Sequence, residues 1–177
     1  IGKTAMALSM MEYIAVDQKL PCGFFSLEMS ALMLGQRLLS QTARVPGGKL
    51  KSGMLRIEDF QKLQQAASRC YEAPLYIIDV PNMPLLDLKA MARRLVVNQG
   101  VKIIFIDYIG LISTDNPNTQ VWEQVSEISK SLKALARELA IPIVALCQVS
   151  RDAEGEEPTL NQLRGSGSIE QDADVVM

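Results

Sequence analysis

Ile1-Gly2-Lys3-Thr4 stands at the head of the chain and reads as the second half of a phosphate-binding loop. In such a loop a glycine lets backbone N–H groups close around phosphate. The lysine reaches the β- and γ-phosphates, and the threonine hydroxyl helps to hold Mg²⁺. Three residues carry little weight alone, because Gly-Lys-Thr also arises by chance. What gives them weight is the remainder of the chain, which supplies further parts of a nucleotide-hydrolysing site, in order, where strands end.

Strands and helices alternate along the chain. Thr4–Lys19 reads as a helix with Met6, Met10 and Ile14 on one face, stopping before Pro21. Gly23–Leu27 is a buried strand, and Ser30 is placed to cap the helix after it. Val45–Met54, with three glycines and a proline, reads as a loop. Asp59–Tyr71 is a polar helix, Leu75–Asp79 a strand, and Leu85–Gln99 a helix that Gly100 ends. Val101–Ile106 is apolar but for one lysine and runs into Asp107, the pattern of a central parallel strand. Ser113–Gln120 is a polar loop. Val121–Ala140 is a long helix, its Val121, Val125, Ile128, Leu132, Leu135 and Leu139 stepping by threes and fours. Pro142–Leu146 is a strand, Asp152–Pro158 an acidic loop, Thr159 and Gln162 have capping-box spacing, and Ala173–Met177 begins a further strand. Repeated βα units with continuous apolar strands predict an α/β fold, a mostly parallel sheet with helices on both faces. Its ligands are expected at the carboxyl ends of the strands.

Composition narrows the chemistry. A chain of 177 residues, 48% hydrophobic, suits one domain with a real core. No run of 18 apolar residues exists, so no membrane span is expected. With no histidine, His-based triads and His-containing zinc sites are excluded, and no C-x-x-C pair offers a cysteine-only metal site. Cys22, Cys70 and Cys147 are odd in number and widely spaced, the pattern of reduced, mostly buried thiols in a cytoplasmic protein. A net charge of −2 argues against a broad basic surface for nucleic acid. Arg151–Met177 holds two arginines against seven acids, so any contact there is focal.

Polar positions fall at or just beyond the carboxyl ends of expected strands: Glu28, Asp107 and Gln148, with Lys3 and Thr4 opening a helix. Asp107 after Ile103-Ile-Phe-Ile106 has the Walker B pattern, though a turn aspartate after any buried strand looks the same. Glu28 could equally be a carboxylate favoured at a helix N-terminus. Gln148 needs a partner, either a backbone group or a γ-phosphate. Phosphoryl transfer to water uses such a set: a cation and amides on the phosphates, an acid anchoring the Mg²⁺ shell, a carboxylate for the water and an amide that senses the γ-phosphate.

Five blocks carry a resemblance: Phe25-Ser-Leu-Glu-Met-Ser30, Ile106-Asp-Tyr-Ile-Gly-Leu111, Glu127-Ile-Ser-Lys-Ser-Leu-Lys-Ala-Leu-Ala-Arg-Glu-Leu139, Ala145-Leu-Cys-Gln-Val-Ser-Arg151 and Leu163-Arg-Gly-Ser-Gly-Ser-Ile-Glu-Gln-Asp-Ala-Asp174. In sequence and order they resemble the blocks of DnaB-type replicative helicases, over essentially the whole chain. The resemblance implies a RecA-like P-loop ATPase domain from a homohexameric ring that moves on single-stranded DNA. It implies ATP and Mg²⁺ as ligands, and primase and a helicase loader as partners. Carried over by position, Gly2, Lys3 and Thr4 match the phosphate and Mg²⁺ loop. Glu28 matches the catalytic base, Asp107 the metal-anchoring acid, and Gln148 the γ-phosphate sensor. Arg164, Gly165 and Gly167 match a loop on the DNA backbone.

Two departures stand out. Where the family commonly has Leu-Arg-Glu-Ser-Gly, this chain has Leu163-Arg-Gly-Ser-Gly167, and Asp-Tyr-Leu-Gln-Leu becomes Asp107-Tyr-Ile-Gly-Leu111. The 177 residues read as one such domain lacking the start of the P-loop and the trans-acting arginine finger. Weak ATPase activity is therefore expected of this piece alone. Trp122 is expected to pack where its helix starts, and the methionines to fill the core. Lys89, Arg93 and Arg94 read as a solvated face or subunit contact, and Asp172 and Asp174 as supports for the adjoining loop and strand. The alternatives are a RecA-like recombinase-type ATPase, and a decayed ATPase serving as an interaction module.

Overall fold

The computed structural model describes residues 2–114, 119–148 and 166–177. Four parallel strands, β1 (Cys22–Ser26), β2 (Leu75–Ile78), β3 (Ile103–Asp107) and β4 (Ile143–Ala145), lie in the order β2-β1-β3-β4. β1 is in register with both neighbours, Phe24 facing Ile77 on one side and Phe105 on the other. From β1 the chain crosses to β2, then returns past β1 to β3. The sheet therefore reverses its winding between β1 and β3, where a crevice opens at the carboxyl ends.

Seven α-helices accompany the strands among the described residues: α1 (Lys3–Met11), α2 (Ala31–Thr42), α3 (Gly47–Ser52), α4 (Ile57–Tyr71), α5 (Leu85–Gln99), α6 (Val121–Leu139) and α7 (Ser166–Asp172). Alternate strand residues point to opposite faces, and each face has its own helices. Phe24 and Phe105, stacked with ring centroids 6.0 Å apart, pack with Leu8, Met11, Leu34 and Leu38 of α1 and α2. Phe25, Ile104 and Ile106 pack on the other face with Leu88 and Ala92 of α5 and Ile128, Leu132 and Leu135 of α6. Close approach of α5 depends on Gly23, where a Cβ would lie 3.0 Å from Leu95 Cδ1. A smaller cluster of Ala43, Val45, Leu63 and Ala66 sits beneath α3 and α4. No helix among the described residues is long and apolar enough to cross a membrane.

Several expectations are corrected. The first helix gives way at Glu12–Asp17 to a π-helical stretch. Its inner face is Thr4, Ala7, Leu8 and Met11, not the stripe begun by Met6, which is 51% exposed. The cause is Thr4, whose hydroxyl turns inward to Asp107 and fixes the rotation of α1. Met33 and Met54 are exposed too, so only some methionines, Met11 and Met83 among them, fill the core.

Within the expected loop Val45–Met54 lies α3. Pro46 occupies its N-cap and accepts from the Lys49 N–H, and Gly53 ends it at φ 71°. Lys49 Nζ then reaches Asp59 Oδ2 at 3.1 Å, tying the short helix to α4. Ala173–Met177 forms no strand: the Ala173 N–H continues the bonding of α7 to Ile169, and Asp174 pairs with Lys133 of α6. Expected features at Asp152–Pro158, Thr159 and Gln162 lie outside the described residues.

Candidate nucleotide site

The crevice between β1 and β3 gathers the polar residues. Gly2 precedes α1 at φ 96°, a left-handed conformation natural to glycine, and its carbonyl accepts the Met6 N–H. Lys3 and Thr4 are the first residues of α1. Asp107 closes β3 opposite Ser26 and is 1% exposed. Thr4 Oγ1 donates to Asp107 Oδ2 at 2.6 Å. The other carboxylate oxygen, Oδ1, is buried without a hydrogen bond, and Lys3 Nζ lies 3.6 Å from it.

Lys3 is the hub. Its ammonium is also 3.5 Å from Glu28 Oε2 and 3.5 Å from the centroid of the Tyr108 ring. Two carboxylates and an aromatic face surround one cation, which reduces the cost of holding it in a partly desolvated cleft. Gly110 leaves room for this arrangement, because a Cβ there would lie 2.8 Å from Tyr108 Cε2. Glu28 itself is half-exposed and sits in a turn just beyond β1. That turn is anchored by the Leu27 N–H on the Asp107 carbonyl at 2.9 Å and by Ser26 Oγ on the Met29 carbonyl at 2.6 Å.

Gln148 is exposed, three residues past the end of β4. Its segment is fastened to β3 by the Leu146 N–H on the Ile106 carbonyl at 2.9 Å and by the Ile109 N–H on the Leu146 carbonyl at 3.0 Å. The structure thus brings Lys3, Thr4, Glu28 and Asp107 into one cluster, with Gln148 on the same sheet edge. Arg164 and Gly165 lie outside the described residues, and Gly167 is the second residue of α7 rather than part of a loop.

The lone buried oxygen of Asp107 beside the Thr4 hydroxyl is a suitable donor pair for a hydrated Mg²⁺, a hard cation that takes few protein ligands. Two residues of the site escape sequence reading. Tyr108 meets Lys3 only through the fold. Asp79, just after β2, accepts the Ala31 N–H at 2.7 Å from a position 48 residues away. The sequence marks Asp79 only as an aspartate at a strand end, without its partner, and Tyr108 not at all.

Away from the crevice, Arg93 is paired twice with Glu138, at 2.6 and 2.9 Å, and so links α5 to α6. Trp122 does not pack as expected. It is 57% exposed, its indole N–H donating to Gln120 Oε1 at 2.6 Å, because it stands on the outer side of α6 while Val125 and Ile128 turn inward. Of the three cysteines, none in a disulfide, only Cys22 is fully buried.

The family described as DnaB-like helicase C terminal domain matches residues 1–177. Replicative DNA helicase DnaB of Treponema pallidum (strain Nichols) is 58% identical over 177 residues, covering 100% of this chain and 40% of the relative. Replicative DNA helicase DnaB of Geobacillus stearothermophilus is 42% identical over 180 residues, covering 99% of this chain and 40% of the relative. A solved structure described as an ATPase domain superposes with a TM-score of 0.91 at 31% identity, over 98% of this chain and 63% of that one. A structure of a DnaB-like replicative helicase, described with its interactions with primase, also gives 0.91 at 31% identity, over 98% and 43%. The chain spans less than half the length of these curated relatives.

Proposed function

The chain belongs to the DnaB-like helicase C-terminal domain family, and from that premise we propose that it is the ATP-hydrolysing motor of a replicative helicase that moves on single-stranded DNA. The observation that carries the reading is the placement of Lys3 between Glu28 and Asp107, with Thr4 on Asp107, in the crevice where the sheet reverses. Neither a recombinase-type ATPase nor a decayed interaction module is favoured by relatives that are replicative helicases.

In this reading Gly2 and the N–H groups opening α1 receive the phosphates, where the helix dipole favours negative charge. Lys3 exchanges its carboxylate partners for phosphate oxygens. Thr4 and Asp107 would hold Mg²⁺, which when bound offsets charge on the β- and γ-phosphates. Lys3, on leaving Glu28, frees that carboxylate to orient a water and take its proton. Gln148 senses the γ-phosphate and passes its loss to the segment of Arg164, Gly165 and Gly167, which grips DNA phosphates. The intact protein assembles as a homohexamer, with primase and a loader as partners.

The test is DNA-stimulated ATPase of the intact protein, wild type beside Glu28→Gln, with and without single-stranded DNA. Stimulation by DNA that vanishes in Glu28→Gln, with ATP binding retained, is the expected result. Turnover indifferent to DNA would overturn the motor assignment, and equal loss of binding and turnover in the variant would remove Glu28 as base.

A further inference from the structure

Glu28 lies on a turn between β1 and α2, and its half-exposed side chain makes one ion pair among the described residues, with Lys3. With Lys3 turned to phosphate, as in the reading above, its place is set by the backbone of that turn. The near end is secured to β3 through the Leu27 N–H and the Asp107 carbonyl. The far end is Ala31, the first residue of α2, whose N–H has no acceptor within the helix. The Ser30 hydroxyl caps a later residue, accepting the Met33 N–H at 3.3 Å. The acceptor is Asp79 Oδ2 at 2.7 Å, reached from the strand on the other side of β1. A carboxylate there also faces the positive end of the α2 dipole.

We propose that Asp79 is a positioning residue for hydrolysis: by holding Ala31 it fixes the exit of the Glu28 turn, so that the Glu28 carboxylate is held from β3 on one side and β2 on the other. This rests on reading Glu28 as the base. Asp79 touches neither Lys3 nor Asp107 through any described hydrogen bond or ion pair. Its loss should therefore impair the water-activating step and spare nucleotide binding.

The experiment uses the intact protein with single-stranded DNA and compares wild type, Asp79→Ala, Asp79→Asn and Glu28→Gln. It measures kcat, KM for ATP, affinity for a non-hydrolysable ATP analogue, and Tm. A displaced catalytic group costs up to about 100-fold, so Asp79→Ala should lower kcat by about tenfold or more while analogue affinity is unchanged. An amide oxygen can accept the Ala31 N–H as a carboxylate oxygen does, so Asp79→Asn should stay within about threefold of wild type in kcat. Wild-type kcat in Asp79→Ala with Glu28→Gln inactive would overturn the proposal while leaving the base assignment standing. So would a loss shared equally between kcat and analogue affinity, or a tenfold fall in Asp79→Asn, the variant that decides the matter if alanine does not fold. Undiminished turnover in Glu28→Gln would instead overturn the base assignment and this proposal with it.

Discussion

The hydroxyl of Thr4 donates to the carboxylate of Asp107 at 2.6 Å, joining the first turn of α1 to the last residue of β3. It is the one hydrogen bond that the Asp107 carboxylate makes among the described residues, and the group is almost wholly buried.

Thr4→Ala should therefore destabilise the protein. It leaves a buried carboxylate oxygen without its donor, a loss of about 1–3 kcal/mol. Thr4→Ser, which keeps the hydroxyl, should be close to wild type. Urea unfolding without nucleotide or Mg²⁺ measures the difference, and an unchanged midpoint for Thr4→Ala would show that the bond contributes nothing.

Gly110→Ala should displace Tyr108 from Lys3. The new Cβ would stand 2.8 Å from Tyr108 Cε2, too close to be tolerated, and the ring is the part able to swing away. In the wild type the Lys3 ε-methylene protons lie over the ring face, so their NMR signals should be shifted upfield. In Gly110→Ala and in Tyr108→Leu they should return towards ordinary lysine positions. Identical spectra would refute the contact.

Cys22 should make the protein sensitive to alkali. Burial against Phe24 and its neighbours raises the thiol pKa from 9.0 to about 11. The unfolded thiol ionises first, so this contribution is complete below pH 9 and is lost as pH rises through 11. A rise of that size corresponds to at most about 3 kcal/mol. Stability curves of wild type and Cys22→Ala should therefore converge or cross between pH 9 and pH 11; a constant offset would refute it.

The Arg93–Glu138 pair should show the opposite sign. Its hydrogen bonds from Arg93 hold the Glu138 carboxyl below its usual range. The associated stability is present at neutral pH and lost as pH falls through that depressed value. Arg93→Met should therefore differ from wild type at neutral pH and match it in strong acid, with the gap narrowing in salt because both groups are exposed. A gap independent of pH and salt would point to lost packing instead.

Much of this architecture is legible in residue order. Val101–Ile106 and Gly23–Leu27 announce buried parallel strands, and the acids after them fall in the crevice because parallel strands end on one edge. Where reading fails, a distant partner decides. The glycines and Pro46 conceal α3, which depends on Lys49 reaching Asp59. The face of α1 depends on Asp107, a residue of another strand. Asp79 and Tyr108 acquire their places from Ala31 and Lys3, and no local pattern encodes those meetings.

The cage around Lys3 has a consequence for encounter kinetics. One ammonium lies between two carboxylates, so Lys3, Glu28 and Asp107 together carry a net negative charge. In the function proposed here, an approaching nucleotide polyanion is repelled at long range and gains its cation only on arrival, when Lys3 changes partners. Association of a fluorescent ATP analogue without Mg²⁺, followed by stopped flow, should therefore quicken as salt screens that repulsion. A rate that falls steeply with salt would mean that the lysine beckons from afar.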